Sequence, residues 1–239
     1  MATSTKNIIV GAADIFISST TNAARPTTTA SDLTTLFGTG QTARTGLLAS
    51  TSYKEAGYTN TGFELAYEPV YGEVVVDQLK DAARIFQSSL KVMLKTELVE
   101  STLQNLQLSW GQQDSYYANT GSVIAAVTTL TDGTPVVSEV GQTLNIAAGA
   151  LGDAPTERTL IAVGNAPSQV SSTVSSNLRN KERVYVARRV VSIDTTMHSL
   201  KRDTATVFPV NFRCLPDDSI SSYAGKEYGV VIDRVWGAV

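Results

Sequence analysis

Residues 90–111, LKVMLKTELVESTLQNLQLSWG, contain two hydrophobic periodicities, one directly after the other. Up to Leu98 the apolar and polar residues alternate, which is the pattern of a half-buried β-strand. Beyond it the spacing becomes that of an amphipathic helix, whose apolar stripe would brace the fold. The positions of this stripe are Val99, Leu103, Leu106 and Trp110. The stretch therefore predicts a strand at 85–98 that runs straight into a helix at 99–110.

Most of the other patterned segments are also strand-like. Residues 57–79 indicate two strands separated by a Pro-Val-Tyr-Gly break, and ERTLIAVG, RVYVARRVVSI and YGVVIDRVW each have a strand pattern. Residues 18–45 predict an arm or long loop, which is either an ordinary surface loop or a segment that orders against a neighbouring copy. Residues 112–157 alternate short β-prone runs with turn signals and form a possible insertion. We predict a mainly β fold in a single domain over residues 1–239.

The composition excludes several kinds of chemistry. Cys214 is the only cysteine and His198 the only histidine, so an intrachain disulfide, a cysteine-rich zinc site and a multi-histidine metal centre are excluded. Neither a phosphate-binding glycine loop nor a Gly-x-Ser-x-Gly elbow occurs. We therefore predict no catalytic, cofactor or metal site and no enzymatic activity.

The sequence gives no sign of a membrane or secreted protein. No apolar run approaches the ~18 residues needed to span a bilayer. The first residues, MATSTKNIIVG, lack the charged-then-apolar layout of a signal peptide. We expect a protein that is made in a cytoplasm and is used or assembled there.

Charge is distributed unevenly along the chain, whose net charge is −3. Residues 64–100 contain seven acids and four bases, whereas residues 179–202 contain seven bases and two acids. Either these charges scatter over opposite faces of one domain, or an acidic surface of one copy meets a basic surface of the next. Specific nucleic-acid binding is disfavoured, because the total charge is negative and the neighbouring Arg188 and Arg189 point to opposite faces of a strand.

The order of these segments resembles the major tail tube proteins of long-tailed, non-contractile bacteriophages. The likeness covers most of residues 5–235 and is carried by NIIVGAADIFI, GYTNTGFELAYEP, VVVDQLKDAAR, LKTELVESTLQNL, RTLIAVG, RVYVARRVVSI, VFPVNFRCLPD and YGVVIDR. The resemblance implies a β-sandwich or barrel of the tail tube type, with one flanking α-helix at about 99–110 and long loops. It also implies hexameric rings that stack into a tube, with strands of every subunit forming a continuous barrel around the channel.

The same resemblance implies partners and a location. The partners are further copies of the chain, a tape measure protein, tail tip and terminator proteins, and DNA that passes without specific binding; no membrane is involved. The protein would reside in the virion tail after assembly in the host cytoplasm. It would bind no cofactor.

Particular residues receive roles from this interpretation. Those expected to line the channel are Glu64, Glu68, Glu73, Asp77, Lys91, Lys95 and Glu97. Those expected at contacts between subunits are Val92, Arg188, Arg189 and Lys201. A competing interpretation places the acids at ring-to-ring contacts, facing the basic residues of the next ring.

Other functions stay open at this point. A tail neck or terminator protein, or a capsid decoration protein, would have a related β-fold. A β-rich module that binds surfaces or carbohydrates would need an exposed aromatic cluster, and aromatic residues make up only 7% of the chain.

Overall fold

The computed structural model describes residues 11–19, 26, 36–38, 40–77, 81–123, 140–146, 148, 151, 155–166, 181–193, 197, 202–203, 205–219 and 225–235. The helices are α1 (Ala43–Ala49) and α2 (Leu103–Ser109), and a 3₁₀ turn spans Asp114–Tyr116. The strands are β1 (Asp14–Ser18), β2 (Tyr53–Glu55), β3 (Thr59–Val74), β4 (Arg84–Leu98), β5 (Tyr117–Val123), β6 (Val140–Leu144), β7 (Arg158–Asn165), β8 (Lys181–Ser192), β9 (Phe208–Cys214) and β10 (Gly229–Val235).

The fold is mainly β, as predicted. Eight strands form one antiparallel sheet in the order β2-β1-β7-β8-β9-β4-β3, with β10 added on β8. One edge of β8 pairs with β7, and the other edge is divided between two strands. Along that edge the first seven residues of β8 pair with β10 and the last three pair with β9. The predicted strand at 85–98 is confirmed as β4. β3 is continuous across the predicted Pro-Val-Tyr-Gly break, because it is an edge strand, where proline is tolerated.

The sheet folds over into two layers that enclose the core. The ring centroids of Phe63 on β3 and Tyr185 on β8 lie 5.6 Å apart, although three strand-to-strand steps separate these strands in the sheet order. The first layer is β1, β7, β8 and β10, and the second is β9, β4 and β3. The core residues are Ile15, Ile17, Leu160, Ala162, Ala187 and Val190 from the first layer, and Val92, Leu94, Leu98, Val210, Phe212 and Cys214 from the second.

Helix α1 covers the outer face of the first layer. Thr42 caps its N-terminus by accepting a hydrogen bond from the Thr45 N–H (3.0 Å). The apolar residues between helix and sheet are Phe16, Phe37, Ala43, Leu47, Tyr53, Ile161, Val163, Val184 and Val186. The sequence did not predict this helix, whose first turn falls within the expected 18–45 loop.

Helix α2 is shorter than the predicted 99–110 helix. Val99 precedes it, since its N–H donates to the Tyr58 carbonyl (2.9 Å), and Thr102 is the N-cap. The predicted stripe residues Leu103, Leu106 and Trp110 are only half-buried, and the residues that α2 buries are Asn105, Gln107 and Ser109. The stripe therefore braces the fold only at its margin: the opposing layer of strands covers the apolar face of β4, and α2 packs beside β9 at the edge of the core.

The 112–157 segment contributes β5 and β6. They pair with each other in a separate two-stranded antiparallel sheet. Arg158, at the start of β7, is buried and bonds Asp114 of the 3₁₀ turn, so this segment is tied to the main sheet at its first residues.

Candidate functional site

The β3–β4 hairpin extends beyond the two-layer body. Only residues 92–98 of β4 pair with β9, whereas β4 pairs with β3 along nearly its whole length. Among the described strands, residues 84–91 therefore pair with β3 alone. We call this two-stranded extension, residues 68–74 with 84–91, the ribbon. Eight residues of extended strand are about 26 Å long.

The hairpin has two distinct faces, because cross-strand partners share a face and successive residues alternate. One face points into the sandwich and carries Leu65, Tyr67, Val92 and Leu94. The opposite face, which we call the polar face, carries mostly charged residues. Its members are Glu64, Ala66 and Glu68 on β3, Lys91, Met93, Lys95 and Glu97 on β4, and Asn211 and Arg213 on β9.

The strand register pairs opposite charges on the polar face. Glu64 lies directly opposite Lys95, and Glu68 lies directly opposite Lys91. Side chains in such positions have Cβ atoms roughly 4.5–5.5 Å apart, so the charges offset one another. The Asn60 side-chain N–H₂ donates to the Glu97 carboxylate (2.8 Å). Five of the seven residues expected to line a channel thus share one face.

The other two expected channel residues do not join them. Glu73 lies on the opposite face of β3, an odd number of residues from Glu64 and Glu68, and Asp77 lies beyond the end of the strand. A bulge at Ser88, whose hydroxyl donates to the Val70 carbonyl (3.0 Å), shifts the outer part of β4 by one residue.

Arg213 belongs to the polar face and was missed by the sequence analysis. It lies opposite Met93 on β4 and Val191 on β8, and its side chain is exposed. With it the polar face carries three carboxylates and three cations. The acids Glu64 and Glu68 lie on the edge strand, and the cations lie one and two strands inward. A single basic residue in a mostly apolar strand gives no separate signal in the sequence.

The ribbon exposes an unusual amount of apolar surface. Its exposed apolar side chains, with the fraction accessible to solvent, are Val70 (54%), Tyr71 (61%), Val74 (44%), Ile85 (62%) and Phe86 (46%). They lie on both faces, with Tyr71 and Ile85 on one and Val70, Val74 and Phe86 on the other. The Phe86 ring lies against Gly72, where an added Cβ would approach it to 2.8 Å.

An apolar cavity of about 380 Å³ opens at the base of the ribbon. It lies between the two layers, with β3 and β4 on one side and β8 and β10 on the other. Phe63, Val92 and Leu94 line its floor together with Cys214. Burial raises the pKa of the Cys214 thiol to about 12, so this thiol is unreactive at neutral pH.

Two expected interface residues lie inside the subunit. Val92 is 8% exposed and is paired on both sides, with Tyr67 on β3 and Cys214 on β9. Arg188 is fully buried on β8. These positions correct the expectation that both side chains are presented to a neighbouring copy: strand pairing places them in the middle of the sheet.

Of the other two expected interface residues, only Arg189 lies in the part of the chain that the structure describes. The Nε and Nη2 of Arg189 donate to the Glu157 carboxylate (2.8 and 2.6 Å), and Nη1 donates to the Pro216 carbonyl (2.8 Å). Arg189 is thus held within the subunit, although it is partly exposed. Lys201 lies outside the described residues.

A buried ionic cluster joins α1 to the C-terminal strand. Both Glu182 carboxylate oxygens accept from the Ala43 N–H at the start of α1 (2.9 and 3.0 Å), and Oε1 lies 2.8 Å from Arg234 Nε. Arg234 Nη2 also donates to the Gln41 carbonyl (2.6 Å), and its guanidinium lies 5.3 Å from the Phe37 ring centroid. Burial raises the pKa of Glu182, while the Ala43 N–H and Arg234 act in the opposite direction.

In the described part of the chain, no group of three or more His, Cys, Asp or Glu side chains is arranged to hold a metal ion. None of the helices described here is long and apolar enough to cross a membrane. A scan against protein-family models and a search of curated proteins found no match to the chain.

Proposed function

We propose that the chain is a structural virion protein, a tail tube subunit that assembles into stacked hexameric rings around a channel for DNA. The number of subunits, the stacking and the partners (tape measure, tail tip and terminator proteins) follow from the resemblance in sequence. The protein acts in the virion tail after assembly in the host cytoplasm, and it is not an enzyme.

The observation that carries this proposal is the ribbon. An isolated two-stranded ribbon is marginally stable in water at best. This one is about 26 Å long and exposes apolar side chains on both faces, an arrangement that is typical of a protein interface. A further copy of the chain that packs on the ribbon gives it the third strand or the second layer that it lacks.

The polar face supports the assignment of a DNA channel. A tube that conducts DNA should not hold it, because each phosphate contact must be broken as the strand slides. Equal numbers of carboxylates and cations, with Glu64 opposite Lys95 and Glu68 opposite Lys91, make this face electrically neutral. A neutral face that lines the channel leaves DNA unbound.

Electron microscopy of the purified protein tests the assembly. We expect rings or tubes from the wild type, and folded monomers from a ribbon deletion in which an Asn-Gly turn joins Val70 to Ser89. This deletion leaves β4 paired with β9 from Val92 onward, so the body keeps its core. Wild-type protein that stays monomeric at high concentration would contradict the proposal, as would tubes from the deletion variant.

A charge reversal tests the channel in assembled particles. Glu64→Lys with Glu68→Lys should slow DNA ejection, because the face then carries a net positive charge. The matched control adds Lys91→Glu and Lys95→Glu, which exchanges the paired charges and restores neutrality. Equal ejection rates for wild type and the double variant would show that these acids do not face the DNA. If tubes of the double variant fail to lengthen, and lengthen again when the basic residues of 179–202 are reversed in charge, the ring-to-ring interpretation is favoured.

A further inference from the structure

The cavity at the base of the ribbon has the size and chemistry of a receptor for side chains. A cavity of about 150 Å³ lined by apolar residues holds a benzene molecule. The 380 Å³ here therefore has room for about two side chains of that size. Its mouth is formed in part by Leu65, Tyr67 and Val231, of which 47%, 63% and 51% is exposed. The walls thus reach solvent as apolar surface.

The outer end of the ribbon offers a matching group. Its exposed apolar residues, together with Val75 directly after β3, are Val70, Tyr71, Val74, Ile85 and Phe86. A full side chain of this kind contributes ~60–120 Å², and roughly half of each is exposed here, so the six present about 200–400 Å² of apolar surface over the two faces of the ribbon. That is about a quarter to a half of the ~800 Å² that each partner buries in a standard interface.

The ribbon cannot fill the cavity of its own chain. The cavity lies at the ribbon's base, between Tyr67 and the β10 layer, while the apolar end lies several residues farther along two paired, extended strands. Reaching the cavity would require the ribbon to fold back over one of its own faces. A second copy has no such restriction. Because the two contacting surfaces differ, the contact is head-to-tail, and repeated it generates a ring or a filament.

We propose that the apolar end of the ribbon of one copy is seated in the cavity of the next copy, with Ile85 among the side chains that enter it. This inference rests on the proposed function and specifies the contact by which subunits join. This single contact covers both the exposed apolar end of the ribbon in one copy and the open cavity in the next.

Cysteine pairs test the contact in the full-length chain. Ile85→Cys and Val231→Cys are prepared as separate proteins, mixed under reducing conditions, assembled and then oxidised at pH 8. A disulfide forms only when the two Cα atoms come within about 7 Å. All of these proteins, the control included, also carry Cys214→Ser, because the native thiol lines the same cavity and could otherwise pair with the cysteine at position 85. The matched control replaces the first protein by Leu48→Cys, whose position on α1 is similarly exposed (52%) but lies away from the ribbon.

We expect a crosslinked dimer in the mixture of Ile85→Cys with Val231→Cys, with at least tenfold higher yield than in the Leu48→Cys mixture. Equal yields in the two mixtures would overturn the proposed contact. So would a dimer that forms equally well from Ile85→Cys alone, because ribbon ends would then meet each other. Electron microscopy of the wild type separates the two proposals. Tubes without the specific crosslink would refute this contact but leave the tail tube function standing. A specific crosslink without tubes would support the contact but refute the tail tube function.

Discussion

The buried carboxylate of Glu182 gives the sharpest prediction about stability. It joins three elements, since it accepts the Ala43 N–H at the start of α1, lies on β8 and contacts Arg234 on β10. Only 7% of the Glu182 side chain and 19% of the Arg234 side chain is exposed. Glu182→Ala removes the acceptor and leaves both the helix N-terminus and the arginine without their shared partner.

The structure sets the size of the expected effect. Loss of one member of a buried ion pair costs about 3–5 kcal/mol. Arg234 keeps its hydrogen bond to Gln41 and its contact with Phe37, and it is partly exposed, so the lower part of this range applies to it. We expect Glu182→Ala to lower the free energy of unfolding by about 3–4 kcal/mol.

The matched control is the next ion pair along the same two strands. Arg183 and Asp233 are directly opposite each other on β8 and β10, but 27% and 30% of their side chains is exposed. Asp233→Ala should therefore cost no more than about 1 kcal/mol. Urea unfolding of dilute, monomeric protein measures both losses. Equal losses for the two variants, or a loss below about 1 kcal/mol for Glu182→Ala, would refute the reasoning.

Three further predictions use the same unfolding assay. The first concerns pH. Between the ordinary Glu182 pKa of 4.5 and its raised value in the protein, the folded state binds more protons than the unfolded state, so the stability of the wild type should fall with rising pH relative to that of Glu182→Gln and level off above this window. Parallel stability curves for the two proteins would contradict this. Gly46→Ala should destabilise by about 1–3 kcal/mol, although alanine normally favours helices, because its Cβ would lie 2.4 Å from the Phe37 carbonyl oxygen; a gain in stability would show that the backbone relaxes. Asp114→Ala should cost about 1.5–3 kcal/mol by removing the carboxylate partner of the buried Arg158, which keeps its hydrogen bond to the Ser18 carbonyl (3.0 Å); a change below about 0.5 kcal/mol, typical of plain surface positions, would argue against the anchor.

The strand patterns of β7, β8 and the inner part of β4 could be predicted because at least one face of each is buried. The alternation in β4 placed its ends within one residue, at 85–98 against Arg84–Leu98. Helix α1 escaped notice for the opposite reason. With seven residues it is too short for a clear periodicity, and such a short helix owes its stability to tertiary contacts, here the Glu182 carboxylate and the covered sheet.

Polar side chains limit what a hydrophobic pattern can place. Helix α2 begins at Leu103 and not at Val99, because Thr102 has an extended backbone and its hydroxyl caps the helix by accepting from the Asn105 N–H (3.1 Å). Its buried Asn105 donates to the carbonyls of Ala56 and Glu100 (both 2.9 Å), and no count of apolar residues reveals such an anchor. Which strands flank β4 is likewise decided by residues far along the chain. The sequence therefore predicted the charges of the polar face but not its third strand.

A free subunit has to keep the edge of β3 from pairing unspecifically and yet leave the ribbon able to associate. These two properties belong to different parts of β3. The inner part of β3 carries Glu64 and Glu68 and is interrupted by a bulge with Gly62 at positive φ (79°). Charges and bulges of this kind hinder unspecific pairing of sheet edges. Pro69 follows and has no N–H to offer to another strand. Beyond this point apolar side chains are exposed on both faces of the ribbon, whereas the inner part of β3 exposes Leu65 and Tyr67 on one face only, beside the cavity. In the proposed assembly, contacts between copies are therefore made by the ribbon, while the charged face of the inner part of β3 disfavours edge-to-edge aggregation.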